Sequence, residues 1–132
     1  MKGIAGNQTR GLPKGARMEC VDNTGAKFVE IVQVPKIHTV QRRYPAAGVG
    51  DLCIVTVKKG TPEMRRQLFP AVIVRQRRAF RRADGMMVMF EDNACVLMTP
   101  TGETKGSMIK GPVAREAAER WARIAATAST IV

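Results

Sequence analysis

Hydrophobic and polar positions first settle into a regular pattern at Ala16, where Ala16, Met18 and Cys20 alternate with Arg17, Glu19 and Val21. A period of two is that of a half-buried strand, because successive side chains leave opposite faces of the backbone. Asp22-Asn23-Thr24-Gly25 then supplies turn chemistry, and Lys27 to Val34 resumes as a second strand. Its β-branched Val29, Ile31, Val32 and Val34 fit a pleated surface better than a helix. Pro35 to Gly50 has no clean period and carries His38, Arg42, Arg43 and Tyr44, so it reads as a long basic loop. Asp51 to Lys58 is nearly continuous in apolar character, the pattern of a strand covered on both faces and placed near the core centre. After Gly60, Thr61 is a competent cap and Pro62 suits the first position of a short helical turn over Glu63 to Gln67.

Ala71 to Val74 begins a further strand that runs into the basic stretch Arg75 to Arg82, then Asp84-Gly85, then Met86 to Phe90. Asp-Gly between extended segments signals a hairpin, so the basic run is expected on a projecting β-ribbon. Glu91-Asp92-Asn93 forms the next turn and Ala94 to Met98 the final strand. Five or six short strands joined by turns predict a mainly β chain folded as a small closed barrel. At Gly111-Pro112 the chemistry changes to a long run of Ala, Glu and Arg that predicts a helix opened by Pro112. Val113, Ala117, Trp121 and Ile124 form its apolar stripe, while Glu116 with Arg120 and Glu119 with Arg123 are expected as pairs four residues apart. Residues 1–15 mix Gly, Lys, Arg and Pro without period and read as an irregular N-terminal extension, with order beginning near Ala16. The chain of 132 residues suits a single domain. It divides into the extension 1–15, a barrel with its basic ribbon over 16–99 and a C-terminal helical region over 105–132.

Charge sharpens this picture. Twenty-two Lys and Arg oppose 11 Asp and Glu, for a net charge of +11. From Lys36 to Arg82 there are twelve basic residues against Asp51 and Glu63 alone, so nearly all the excess sits in the middle third. A field of one sign calls for a polyanion, and the preference for Arg over Lys, 14 to 8, favours phosphate and bases, which a guanidinium fork binds and stacks upon. The ribbon arginines Arg75, Arg77, Arg78, Arg81 and Arg82 would repel one another unless phosphates lay between them. The bland alternative is a charged edge strand that resists aggregation. Arg42, Arg43 and Tyr44, then Lys58 and Lys59, then Arg65 and Arg66 form separate clusters, which suit a broad footprint among several RNA segments. Only 5% of the chain is aromatic, which disfavours a single-strand reader built on stacking; Phe80 is expected to cover a barrel end.

Other chemistry finds little support. Cys20, Cys53 and Cys95 are odd in number and far apart, consistent with a reducing cytoplasm and without the close pairs of a zinc site. His38 is the single histidine, so neither a metal nor another cofactor is expected. Asp22-Asn23 and Asp92-Asn93 adjoin turns and read as structural, and Gly48-Val49-Gly50 lacks the remainder of a nucleotide-binding glycine motif. No nucleophile, base and orienter assemble into a catalytic set, which argues against an enzyme. The N-terminus lacks the apolar stretch of a signal peptide, and no run of some eighteen apolar residues could span a bilayer.

Several segments carry a distinctive signature: Asp22-Asn23-Thr24-Gly25-Ala26, Arg42 to Asp51 (RRYPAAGVGD), Ala71-Val72-Ile73-Val74 followed by Asp84-Gly85, and then Phe90, Asn93, Val96 and Leu97. With Lys105-Gly106 and Gly111-Pro112-Val113-Ala114-Arg115-Glu116, they resemble the universal large-subunit ribosomal protein fourteen family over residues 16–131. The N-terminal extension, Lys59 to Gln67 and Phe90 to Ala94 resemble the archaeal and eukaryotic branch, and the short length favours the archaeal one. The resemblance implies a five-stranded β-barrel with a protruding ribbon and a C-terminal helical region. It implies binding to large-subunit rRNA, a bridge to small-subunit rRNA, contact with large-subunit protein three, and a surface for an anti-association factor, initiation factor six. The segment after Lys105, with Lys105, Lys110, Arg115, Arg120 and Arg123, is the candidate for intersubunit or protein contact. The rival reading is a free-standing RNA chaperone or regulator.

Overall fold

In the computed structural model the described residues are 8–35 and 39–132; the readings of His38 and of residues 1–7 fall outside them. Along the chain these residues form strands β1 (Leu12–Pro13), β2 (Arg17–Cys20), β3 (Ala26–Gln33), β4 (Ala46–Ala47), β5 (Leu52–Gly60), β6 (Leu68–Arg75), β7 (Phe80–Arg81), β8 (Met87–Val88), β9 (Ala94–Leu97) and β10 (Ile109–Val113). Helices α1 (Arg115–Arg120) and α2 (Ala122–Thr127) follow, and β11 (Ala128–Ile131) ends the chain. Strands β2, β3, β5, β6 and β9 close a five-stranded barrel, as the sequence and the family resemblance led us to expect. Every barrel pairing is antiparallel except β2 with β9.

Period-two alternation fills the barrel. Met18 and Cys20 of β2, Val29 and Ile31 of β3, Cys53, Val55 and Val57 of β5, Ala71 and Ile73 of β6, and Cys95 and Leu97 of β9 form one apolar cluster inside it. Residues Val72, Val74, Ala94 and Val96, in the other phase of β6 and β9, join Phe80, Ile109, Val113, Ala117 and Ile124 in a second cluster. Strands β6 and β9 are therefore apolar on both faces. This corrects the expectation for Asp51 to Lys58: β5 alternates between buried and half-buried residues, because the C-terminal elements cover β6 and β9 and reach only Leu52 of β5.

The C-terminal region also departs from the sequence reading. Pro112 does not open a helix but lies in β10, which pairs in parallel with β11, and the two short helices form the crossover between them. The expected single helix is broken at Trp121, whose backbone is extended (φ −125°, ψ 98°) while its indole Nε1 donates to the Gly50 carbonyl at 2.9 Å. The pairs expected within the helix give way to longer-range partners. Glu116, buried, accepts from Arg82 instead; Arg120 bonds Asp51 at 2.8 Å and Arg123 bonds Glu103 at 3.2 Å. Residues 8–15 are likewise more ordered than their composition suggested. Leu12 is buried in the barrel cluster and β1 pairs with β4, bringing Lys14 N–H to the Pro45 carbonyl at 2.9 Å.

Two arginines tie these parts together. Arg75, at the end of β6, grips Asp92 with Nε and Nη2 at 2.9 and 3.0 Å, and its Nη1 donates to the Lys110 and Pro112 carbonyls at 3.1 and 3.0 Å. Gly111 must be glycine there: its φ is +76°, and a β-carbon would collide with Arg75 Nη1. Arg82, at the ribbon, donates from Nε to both Glu116 oxygens and from Nη2 to the Val132 carbonyl at 2.6 Å. Between them, fully buried Gln76 donates to the Thr9 and Arg78 carbonyls at 3.0 and 2.8 Å and fastens the N-terminal segment to the ribbon's root.

Two outcomes follow for the isolated chain. Arg75→Ala strands Asp92 and two carbonyls beside a buried gap and should lower stability in urea by about 3 kcal/mol, near the lower end for a broken buried pair because Asp92 is partly exposed. Lysine at this position, with no fork, should not restore it. All three cysteines are free and buried. Burial, helped by the Asp51 charge, pushes the Cys53 thiol up to about 12, and the Cys20 hydrogen bond and burial raise Cys95 as well. A thiol-reactive dye at neutral pH should therefore label none of them in the folded chain and all three in denaturant; rapid labelling without denaturant would contradict this packing.

Candidate nucleic-acid interface

The sequence offers one basic run from Arg75 to Arg82, but folding sorts it into two kinds of arginine. The side chains of Arg75 and Arg82 are only 9% and 10% exposed, and both are ion-paired. Arg77, Arg78 and Arg81 are exposed and, among the described residues, form no ion pair. The reason is local. Arg75 continues β6 towards Asp92 and β10, and Arg82 turns towards α1, whereas Arg77 and Arg78 lie where the chain leaves the barrel. Arg77 N–H is fixed there by Asn93 Oδ1 at 2.7 Å. The ribbon itself is short. Strands β7 and β8 pair through Phe80↔Val88 and Arg81↔Met87, and the Asp84-Gly85 turn closes with Met86 N–H on Asp84 Oδ1 at 3.0 Å. Phe80 is wholly buried, not over a barrel end as expected but in the apolar cluster between β6, β9 and the C-terminal elements.

The remaining candidate cations gather at the two ends of β5 and β6. At one end the turn after β5 folds back, with Arg66 N–H donating to the Val57 carbonyl at 3.1 Å. This places Arg65 and Arg66 beside Lys58 and Lys59. Lys58 bonds Glu30 at 3.3 Å, while Lys59, Arg65 and Arg66 are exposed and unpaired among the described residues. At the other end the loop with Arg42, Arg43 and Tyr44 leads into β4, next to the N-terminal segment. Gly11 lies against Arg78, and Gly48 against Thr9 and Arg10, so this segment also reaches the ribbon's root. Arg10 and Lys14, exposed, thereby join the candidates; sequence reading missed them because the segment lacks a hydrophobic period.

Backbone conformation marks the same places. Among the described residues, only Arg42 (φ 67°) and Arg66 (φ 64°) are non-glycines in the left-handed region, which costs an L-residue about 1–2 kcal/mol. One lies in each cluster. Tyr44, 76% exposed, stands beside Arg43 as the most open aromatic of the molecule's described part. The candidate contact residues after Lys105 are mixed in state. Lys105 lies over the Phe69 ring at 5.1 Å, Arg120 and Arg123 are ion-paired, and Lys110 and Arg115 are exposed and, among the described residues, without an ion pair.

The signature segments identified in the sequence turn out to be joints. Asp22 is buried; its Oδ1 accepts from Thr24 Oγ1 at 2.6 Å and its Oδ2 from Leu97 N–H at 2.9 Å. Asn23 exchanges two hydrogen bonds with Ser107, at 2.8 and 2.9 Å. Asp51 closes the Gly48-to-Gly50 turn at 2.8 Å and receives Arg120 on its other oxygen. The acids that might suggest catalysis are thus held by turns and ion pairs. Among the described residues no cluster of His, Cys, Asp and Glu could hold a metal ion, and no helix is long and apolar enough to cross a membrane.

Comparison with known proteins agrees with this architecture. A family model described as Ribosomal protein L14p/L23e matches residues 11–132. The large ribosomal subunit protein uL14 of Picrophilus torridus is 67% identical over 132 residues, covering 100% of both chains. The protein of the same name from Thermoplasma acidophilum is 64% identical over the same full length. That of Methanococcus maripaludis is 56% identical over 131 residues, 99% of each chain. All three organisms are archaea, within the archaeal and eukaryotic branch that the Lys59 to Gln67 segment resembles. The match takes in the barrel, the ribbon, the C-terminal crossover and Gly11 of the N-terminal segment: the chain belongs to the ribosomal protein L14p/L23e family.

Proposed function

We propose that the chain is a structural, non-enzymatic constituent of the large ribosomal subunit, and that it holds large-subunit rRNA through the unpaired cations at the two ends of β5 and β6. Membership of the subunit follows from the family. The rRNA contacts rest on one observation: folding consumes Arg75 and Arg82 internally yet leaves Arg42, Arg43, Lys59, Arg65, Arg66, Arg77, Arg78 and Arg81 exposed without an acidic partner among the described residues. Crowded like charges on a rigid frame raise its energy, and phosphates inserted between them remove that cost. Arg75 and Arg82 accordingly leave the contact set, Lys58 is shared with Glu30, and Tyr44 accompanies Arg42 and Arg43. Two separated clusters on one small barrel suit contact with more than one RNA segment, since phosphate contacts position a protein without reading sequence.

For the C-terminal region, the family resemblance supports a bridge to small-subunit rRNA, with large-subunit protein three and an anti-association factor as protein partners. Lys105, Lys110 and Arg115 form no ion pair there among the described residues, and exposed Met108, Ile131 and Val132 give it apolar surface for a protein neighbour.

Each phosphate contact contributes about 0.7 to 0.9 to the slope of log K against log salt. The double change Arg77→Ala with Arg78→Ala should therefore reduce the slope for large-subunit rRNA by about 1.5. An unchanged slope and affinity would remove these residues from the interface. Independently, the chain should sediment with large subunits through a moderate salt wash. Recovery in the ribosome-free fraction would point instead to a free-standing RNA chaperone or regulator.

A further inference from the structure

Among the four phenylalanines, Phe28 has no place in the packing described so far. Phe80 is buried in the second apolar cluster, Phe90 packs against that cluster, and Phe69 packs against the barrel cluster beneath Lys105. Phe28 belongs to neither cluster and is half-buried on β3. It lines a cleft of about 640 Å³ between the β2–β3 turn and β10. Val21 and Ala26 contribute apolar lining, and Glu19, Lys27 and Lys110 are exposed at its edge. Glu19 stands directly across from Phe28 in the β2–β3 register, and it has no ion pair among the described residues. The Lys110 backbone is held in position because its carbonyl accepts from buried Arg75.

We propose that this cleft receives a single unpaired nucleotide of the rRNA, with its base stacked on Phe28, its flanking phosphates at Lys27 and Lys110, and an amino group of the base donating to the Glu19 carboxylate. The proposal rests on the rRNA-binding reading and refines it. The chemistry is specific in three respects. A half-buried aromatic ring that joins neither apolar cluster and lines a cleft is the kind of side chain on which proteins stack splayed-out RNA bases. Two exposed lysines at the edge of the cleft supply charge for the flanking phosphates, while Asp22 and Arg75, which also line it, are already bonded within the fold. In this site the Lys110 side chain serves large-subunit rRNA rather than the intersubunit contact. A free carboxylate on a strongly cationic protein repels phosphate yet accepts from the exocyclic amino group of guanine, adenine or cytosine, whereas uracil offers only its ring N3–H. A site for inorganic phosphate alone would need neither the ring nor the carboxylate.

The test uses the full-length chain and deproteinised large-subunit rRNA, with Phe28→Leu, which keeps an apolar side chain without a π face, and Phe28→Tyr, which keeps the ring. Phe28→Leu should weaken binding by about 5- to 100-fold with the salt slope unchanged, because stacking releases no counterions. In chemical probing of the complex, one unpaired nucleotide protected by the wild-type chain should become reactive with Phe28→Leu and stay protected with Phe28→Tyr, and its base should carry an amino group. Equal behaviour of the two variants, whether both bind or both fail, would overturn the stacking assignment, and a protected uracil would overturn the amino-group contact assigned to Glu19. If Phe28→Leu binds normally while the Arg77, Arg78 double variant shows the reduced salt slope, the cleft assignment falls and the rRNA-binding reading stands. Salt-independent binding by the wild-type chain would bring down both.

Discussion

A planar guanidinium can bond a carboxylate and two backbone carbonyls at once, and Arg75 is placed where three segments of the chain must meet. It terminates the doubly covered strand β6, clasps the Asp92 turn that leads into β9, and takes two carbonyls from β10. An apolar residue there could fill space but could not satisfy Asp92 or the carbonyls, and a buried polar group without a partner is costly. The next residue, Gln76, repeats the logic towards the N-terminal segment, and Arg82 repeats it towards α1 and the last residue of the chain. Barrel, ribbon and C-terminal crossover become one body through polar junctions superimposed on two apolar clusters.

That rigidity gives the unpaired cations their functional meaning. Arginines on a loose tail can spread apart to relieve repulsion, whereas Arg77 and Arg78 emerge from a root fixed by Gln76 and Asn93. Arg65 and Arg66 are similarly fastened to β5 by a backbone bond to Val57. Fixed like charges keep a standing field, which draws in a polyanion and keeps a defined geometry for its phosphates. The partition of arginines into internal ties and outward contacts thus accounts for both the fold and its proposed rRNA partner, and the same sequence run supplies both kinds.

Much of this was legible along the chain because strands announce themselves by alternation and turns by their residues. Met18/Cys20, Val29/Ile31 and the Asp84-Gly85 pair are where the pattern placed them. Arg75 could not be told from Arg77 by sequence, since its distinguishing partners, Asp92 and the carbonyls beside Gly111, are brought to it only by closure of the barrel. Its position in line with Ala71-Val72-Ile73-Val74 was the available hint that it still belonged to the strand. Leu12 was hidden among glycines and prolines, although a single large apolar residue there is compatible with a short edge strand. The C-terminal segment misled for another reason: Ala, Glu and Arg favour helix wherever they stand, and the break at Trp121 depends on a tertiary bond to Gly50 that local propensity cannot register.

Arginine modification by a dicarbonyl reagent, mapped residue by residue in the free chain and in the assembled large subunit, addresses the partition most directly. In the free chain Arg42, Arg43, Arg65, Arg66, Arg77, Arg78 and Arg81 should react while Arg75 and Arg82 do not, and in the subunit the reactive set should become protected. Modification of Arg75 and Arg82 in the folded free chain, or undiminished reaction of the exposed set after assembly, would contradict the account.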